Sequence, residues 1–300
     1  MSSTALGILG GLLAAFMQSC SYLGGRRFLG TGGNAGQLLA ASLIICGASS
    51  WLLAPFFLDW EKFFSLRMAW MLLLSNGGLL LGHWGFFSAQ KHIESSRIAS
   101  LMGLKILLVM LLMLIFMHAN FTLLQYIAIV LAASAAILIN WINGKLDWNG
   151  MGYFSMALLG YACSDLGVQL VVQEMQCSNP IAGGLAGFSA SYGVLGFFAL
   201  AALKPLKVNF RMLKKALPQG VCWVFSMWGL YVCFGLLGAA FGNVVQASRG
   251  IISLILGIIL SFFAIQGLEQ KQSWVMWLRK AVAALMMFGA IVLYAMTAKG

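Results

Sequence analysis

The chain has 300 residues, of which 61% are hydrophobic and only 8% are charged. An average soluble protein is about one quarter charged, so this chain is too apolar to cover its own surface in water. Because about 20 apolar residues cross the hydrocarbon layer, its length accommodates ten membrane spans with short loops and excludes a separate soluble catalytic domain.

Apolar runs with short polar or basic interruptions predict ten membrane-spanning helices. In chain order they cover approximately residues 4–24, 34–57, 67–89, 97–117, 121–140, 150–172, 180–203, 218–238, 241–265 and 274–296. Glycine is frequent and recurs at four-residue spacings such as Gly78/Gly82, which let neighbouring backbones approach closely in lipid. The expected fold is a tightly packed all-α membrane protein.

The formal net charge of +11 would suggest nucleic acid in a soluble domain. In a membrane protein, Lys and Arg instead mark the cytoplasmic loops, so we expect no nucleic-acid partner. The loops after the odd-numbered spans hold thirteen Lys and Arg residues, and the other side holds three. This count predicts that both termini lie outside the cytoplasm.

The two halves of the chain carry similar segments. The pentapeptide Cys20–Gly24 matches Cys163–Gly167 at an offset of 143 residues, and Met102-Gly103-Leu104 matches Arg249-Gly250-Ile251 at an offset of 147. With five helices in each half, the second half enters the membrane from the opposite side. The sequence therefore predicts two inverted five-helix repeats, residues 1–145 and 146–300, with a ligand site near the midplane.

With these features the sequence resembles the drug/metabolite transporter superfamily, in particular its EamA-like ten-helix branch. The resemblance covers essentially the whole chain and rests on the five-plus-five architecture and the short hairpins after spans 4 and 9. It also rests on the segment Phe121–Gln125 before an Ala-rich fifth helix, echoed by Phe288-Gly289-Ala290 in span 10. It implies a secondary transporter, and it implies termini in the cytoplasm, opposite to the charge count.

Three ionisable residues lie well inside predicted spans: Lys105, Asp165 and Arg249. A charge at the bilayer centre costs about 3 kcal/mol or more, so each needs a partner or a wet cavity. One reading is a structural salt bridge of Asp165 with Arg249 or Lys105. Even then, two cations and one anion leave an excess positive charge, which suits the carboxylate or phosphate of a substrate.

Polar side chains continue the faces on which these charges lie. In span 9, Asn243, Gln246, Arg249 and Ser253 follow helical steps of three and four. Such stripes line cavities or glue helices together, and we favour cavity lining. Further candidates lie on the face of span 6, at its repeat equivalents in span 1 and in span 3. The full set of candidate substrate-binding residues is Arg249, Lys105, Asp165, Gln18, Tyr22, Tyr161, Trp84, His83, Asn243 and Gln246.

The expected function is secondary transport of a small polar metabolite, an amino acid or another organic anion, by alternating access through a central cavity. Arg249 and Lys105 would attract the anionic group, with Asp165 as counter-charge and proton-coupling residue. The alternative is a flippase or carrier for a lipid-linked or phosphorylated substrate.

Catalysis is not expected, because the three histidines are scattered and the one deep carboxylate lacks a nucleophile–base or metal constellation. No GxxxxGK[ST] loop is present, and the six cysteines show no metal spacing, so we expect no cofactor or metal. The expected location is the bacterial cytoplasmic (inner) membrane, where lipid surrounds a multi-pass protein.

Overall fold

A computed structural model describes residues 2–89, 92, 102–140, 150–175, 179–249, 252, 255–256 and 274–297. Within these residues the regular structure is helical and contains no strand. The α-helices are α1 (Ser3–Gly30), α2 (Ala35–Phe57), α3 (Trp60–Phe63), α4 (Leu66–Leu72), α5 (Gly78–Ala89), α6 (Lys105–Phe116), α7 (Leu123–Asn140), α8 (Met151–Glu174), α9 (Pro180–Ala201), α10 (Phe210–Ala247) and α11 (Trp274–Thr297).

Within the described residues, most helix bounds lie within a few residues of the predicted spans. Five helices of the described part are individually long and apolar enough to cross a membrane: α1, α2, α8, α9 and α10. An asparagine is the N-cap residue of two of them. Asn34 and Gln37 exchange bonds in a capping box before α2, and Asn179 accepts a bond from the Ile181 amide before α9.

Four features differ from the prediction. Helix α1 continues six residues beyond its predicted end at Gly24, and the short helix α3 was not predicted. Predicted span 3 is interrupted by a π-helix, Leu73–Gly77, which joins α4 to α5. Predicted span 8 and the first seven residues of predicted span 9 form one element, α10, which begins at Phe210 and contains Pro218 in its interior.

Helix α10 is broken at Gly238, the predicted end of span 8. Its backbone there has φ 76° and ψ 163°, which only glycine adopts readily. The break therefore separates two helical segments without an intervening loop. The part of predicted span 9 from residue 257 onward lies outside the described residues.

The chain divides into two compact units, one made of residues 1–76 and 167–238 and the other of residues 77–166 and 239–300. This division is not the one between the predicted repeats, because each unit takes segments from both halves of the sequence. The assignment of 1–145 and 146–300 as repeats remains a prediction.

In the first unit, α2 and α9 meet at a seam of two glycines. A methyl group added at Gly47 would lie 2.6 Å from the Gly196 Cα, and one added at Gly196 would lie 2.5 Å from the Gly47 Cα. Each added methyl would also lie 3.4 Å from the carbonyl oxygen four residues before the opposite glycine, on Tyr192 or Leu43. This reciprocity is what a local twofold relation between equivalent helices produces.

A second correspondence links contacts within each unit. In the first unit a methyl group at Gly229 would meet the Gly10 oxygen at 2.5 Å and the Ala14 nitrogen at 3.1 Å. In the second unit a methyl group at Gly85 would meet the Tyr153 oxygen and the Ala157 nitrogen, both at 2.7 Å. The contacted residues correspond at an offset of 143, Gly10 with Tyr153 and Ala14 with Ala157, and the two glycines at an offset of 144. Such constant offsets are expected for duplicated helix pairs.

Candidate functional site

Three polar side chains from three helices of the second unit meet at Asp165. The Lys105 Nζ lies 2.7 Å from the Asp165 Oδ2, and the Asn243 Nδ2 donates to the same oxygen at 2.8 Å. Asn243 also donates to the Ala239 carbonyl oxygen of its own helix at 2.8 Å. One reading of the sequence was a salt bridge of Asp165 with Arg249 or Lys105, and the structure places Lys105 within ion-pair distance of Asp165.

The ion pair is largely shielded. The Lys105 side chain is 21% exposed and the Asp165 side chain 11% exposed, and Asn243 is buried. In such surroundings a charge is tolerated only when it is paired and hydrogen-bonded. Both requirements are met here, because Asp165 accepts from a cation and from an amide at once.

Each member of the cluster is placed by its helix. Lys105 is the first residue of α6 and follows a short 3-10 turn, Met102–Leu104. Asp165 lies in the middle of α8, far from either end. Asn243 lies one turn after Ala239, the first residue beyond the break in α10.

Tyr161 lies one helical turn before Asp165 on α8 and packs against His83 of α5. Their rings meet edge to face with centroids 5.3 Å apart. Gly82 makes room for the phenol, because a methyl group there would lie 2.7 Å from the Tyr161 ring. The His83 Nδ1 lies 2.9 Å from the Leu79 carbonyl oxygen.

Trp84 contributes to a different feature of the same unit. It lines a cavity of about 290 Å³ together with Ser88, His92 and Tyr153. The Trp84 and Tyr153 rings meet edge to face at 6.0 Å, and the His92 ring lies parallel to Tyr153 at 6.0 Å. Successive residues on a helix point about 100° apart, so His83 and Trp84 serve different surroundings.

The remaining candidates are distributed as follows. Gln246 is buried one turn beyond Asn243, and Arg249 is half-buried two residues past the end of α10. Gln18 and Tyr22 belong to the first unit, on α1, and Tyr22 is 50% exposed. Ser253, and residues 250–251 of the second repeat match, lie outside the described residues.

The first unit contains buried polar bonds that the sequence analysis did not single out. Asn76, in the π-helix, donates to the Ser191 carbonyl oxygen at 3.1 Å and accepts from the Ser191 hydroxyl. The Gln219 amide binds Ser21 and Ser42. The sequence signal that could have identified these bonds is an amide side chain, Asn76 or Gln219, within a predicted apolar span.

These long apolar helices define a multi-pass integral membrane protein with an all-helical fold, and a shielded ion pair lies within it. Residues 5–141 match the model of the EamA-like transporter family, which belongs to the drug/metabolite transporter superfamily. This match confirms the predicted resemblance and the all-α membrane fold, and it indicates a membrane transporter of the drug/metabolite transporter type.

Solved structures extend the likeness of fold to the whole chain. One of them, titled only as the crystal structure of a protein, is 14% identical with a TM-score of 0.68. The match covers 98% of this chain and 97% of that one. At this identity the likeness concerns the fold alone. The comparison with curated proteins found no match.

Proposed function

We propose that this transporter carries a small polar metabolite with an anionic group, an amino acid or another organic anion, by alternating access through a central cavity. In this proposal it is a secondary transporter of the bacterial cytoplasmic membrane. Its partners are the small-molecule substrate and the surrounding lipid, and nucleic acid is not among them.

The observation that carries the proposal is the ion pair of Lys105 and Asp165 on membrane helices. Ionisable residues inside membrane segments are costly and mark substrate or ion pathways. An apolar pair of similar volume would hold the helices together without that cost. The presence of both charges therefore favours a role in transport over a role in packing.

The charges in this region favour an anion. Lys105 and Arg249 bring two positive charges to this region and Asp165 brings one negative charge, and Arg249 continues in sequence the helical face of Asn243 and Gln246. Lys105 and Arg249 would attract the anionic group, and Asp165 would serve as their counter-charge. Once the substrate replaces Asp165 as the partner of a cation, the released carboxylate becomes available to a proton, so Asp165 is also the proposed proton-coupling residue.

Uncharged residues would contact the rest of the substrate. Asn243 and Gln246 offer amides next to the ion pair, and Tyr161 with His83 offers a phenol and an imidazole one turn along α8. Gln18 and Tyr22 occupy the positions that correspond to Tyr161 and Asp165 in the repeat match, and we propose them as the equivalent lining. Trp84 would contribute through the aromatic cavity that it shares with Tyr153.

The first experiment is a binding screen. Purified protein in detergent is heated with amino acids, organic acids, sugar phosphates and quaternary amines, since a ligand that binds the folded state raises its melting temperature. We expect stabilisation by compounds with a carboxylate and none by their amide analogues. Stabilisation by amines alone would overturn the proposed substrate class.

The second experiment measures uptake of the stabilising compounds by proteoliposomes. Lys105→Gln and Arg249→Gln should each lower uptake at least tenfold, whereas Lys62→Gln, which alters a cation outside the cluster, should leave it unchanged. Full uptake by both cluster variants would refute their roles.

Two cations would also suit a phosphate, and for this reason a lipid-linked or phosphorylated substrate is the second candidate. It predicts stabilisation by sugar phosphates or anionic lipid headgroups and no uptake of free organic acids. Movement of a labelled phospholipid between the leaflets of proteoliposomes, abolished by Lys105→Gln, would favour it.

A further inference from the structure

The break in α10 and the ion pair are connected by one side chain. Asn243 donates to the Asp165 Oδ2 and to the carbonyl oxygen of Ala239, both at 2.8 Å. Ala239 is the residue immediately after Gly238, where the helix is broken. The two N–H groups of one amide therefore join a charged side chain to the first residue of the helical segment after the break.

A helix break frees backbone amides and carbonyls that an intact helix would satisfy. Inside a membrane such groups persist only where protein or a wet cavity meets their bonding needs. Within the first unit, Gln169 of α8 lies beside Gly238, and a methyl group there would be 3.5 Å from its amide oxygen. Within the second unit, Asn243 adds a side-chain bond to the carbonyl oxygen of Ala239, the first residue after the break.

Lys105 and Asn243 both bind the same carboxylate oxygen of Asp165. The Asp165 Oδ2 accepts from Lys105 and from Asn243, so any group that draws Lys105 away removes one of the two bonds that position the oxygen to which Asn243 donates. The adjustment then reaches Ala239 through the second bond of the same amide. A side chain that merely filled space would not transmit such a change.

We propose that Asn243 is a positioning residue that fixes Asp165 against Lys105 and ties this ion pair to the helix break at Gly238. An anion that takes Lys105 from Asp165 loosens the segment after the break. This rests on the proposed function and deepens it, because it assigns the step that links substrate binding to loosening of the α10 segment that begins at Ala239.

The test follows hydrogen–deuterium exchange of the amides of residues 239–243 in the full-length purified protein. Asn243→Ser separates the two bonds, since a serine hydroxyl reaches the carbonyl four residues earlier on its own helix but not Asp165. We expect Asn243→Ser and Asn243→Ala to raise exchange at least tenfold. Gln219→Leu, which removes a buried amide of the first unit, should not change exchange at 239–243.

The second arm uses sodium acetate as the anion, compared with sodium chloride at equal ionic strength. Acetate should raise exchange of residues 239–243 at least threefold in the wild type. It should have no effect in Lys105→Met, which lacks the cation, or in Asn243→Ser, which lacks the link to Asp165.

Three results would overturn the proposal: wild-type exchange in Asn243→Ser, an equal rise in Gln219→Leu, or no response of the wild type to acetate. None of these measurements depends on uptake. Failure of the proposed function would instead be seen as full uptake by Lys105→Gln, so the two failures are distinguishable.

Discussion

Shielding the charge of Lys105 or of Asp165 from water is costly when either is alone, but it is tolerated when the two form an ion pair. Removing one partner therefore tests the pair. Lys105→Met leaves the Asp165 carboxylate shielded from water without its cation, and removal of one partner of a buried pair costs about 3 kcal/mol or more. We expect unfolding in detergent to show a loss of this size. Adding Asp165→Asn should recover part of it, because the second change removes the unpaired charge while leaving an oxygen for Asn243.

The exposed pair of Lys62 and Asp59 is the matched control. Its nitrogen and oxygen lie 3.7 Å apart, with side chains 43% and 44% exposed, so water and salt screen it. Lys62→Met should therefore leave the melting temperature unchanged. If the double variant Lys105→Met/Asp165→Asn were as unstable as Lys105→Met alone, the lost stability would not come from the ion pair.

At the scale of helices, the seam between α2 and α9 depends on two glycines. Gly47→Ala or Gly196→Ala places a methyl group against the backbone of the opposite glycine, at 2.6 and 2.5 Å, where no flexible side chain can move aside. We expect each variant to lose about 1–3 kcal/mol of stability, as overpacked cores do. Because the contact is reciprocal, the two losses should be similar, which thermal unfolding of both variants would measure.

Gly152 offers the control for this seam, since it also lies in a helix but has nothing within 4 Å of an added methyl group. Alanine is favoured over glycine in a helix by about 1 kcal/mol, so Gly152→Ala should be neutral or stabilising. Equal losses at Gly47 and Gly152 would contradict the packing argument.

Which helices form was predictable, whereas their irregularities were only partly so. Hydropathy placed α2, α7, α8, α9 and α11 within a few residues, because crossing lipid demands a long apolar run. The π-helix before α5 could not be predicted from hydropathy, because one extra residue per turn does not change the apolar pattern of the span. Gly238 was predicted as the end of a span, and it is the break in α10.

At the scale of the molecule, the candidate site was partly visible in the sequence. Asp165 and Lys105 stood out because charges are rare in spans, and Asn243 because it continues a polar face with Arg249. The aromatic cavity of Trp84 and Tyr153 was not predictable, because it depends on which helices are neighbours. The same holds for the bond between Asn76 and Ser191, two residues 115 positions apart.

The distribution of cations predicts how the whole molecule is oriented. Thirteen Lys and Arg residues follow odd-numbered spans and three lie on the other side, and the densest group, Lys204 to Lys215, precedes the apolar part of α10. Because basic loops are retained in the cytoplasm, we expect both termini outside it. Alkaline phosphatase fused after Gly300 should be active and green fluorescent protein dark.

The same basic group supplies the control for orientation. Replacing Lys204, Lys207, Lys214 and Lys215 by Gln removes four of the thirteen cations and should lower phosphatase activity while fluorescence rises, as part of the population inserts the other way. Replacing Lys62 and Arg67 on the sparse side should leave both signals unchanged. Bright fluorescence and inactive phosphatase in the unmodified chain would instead establish cytoplasmic termini, the orientation that the family resemblance implies, and Lys204 to Lys215 would then lie outside.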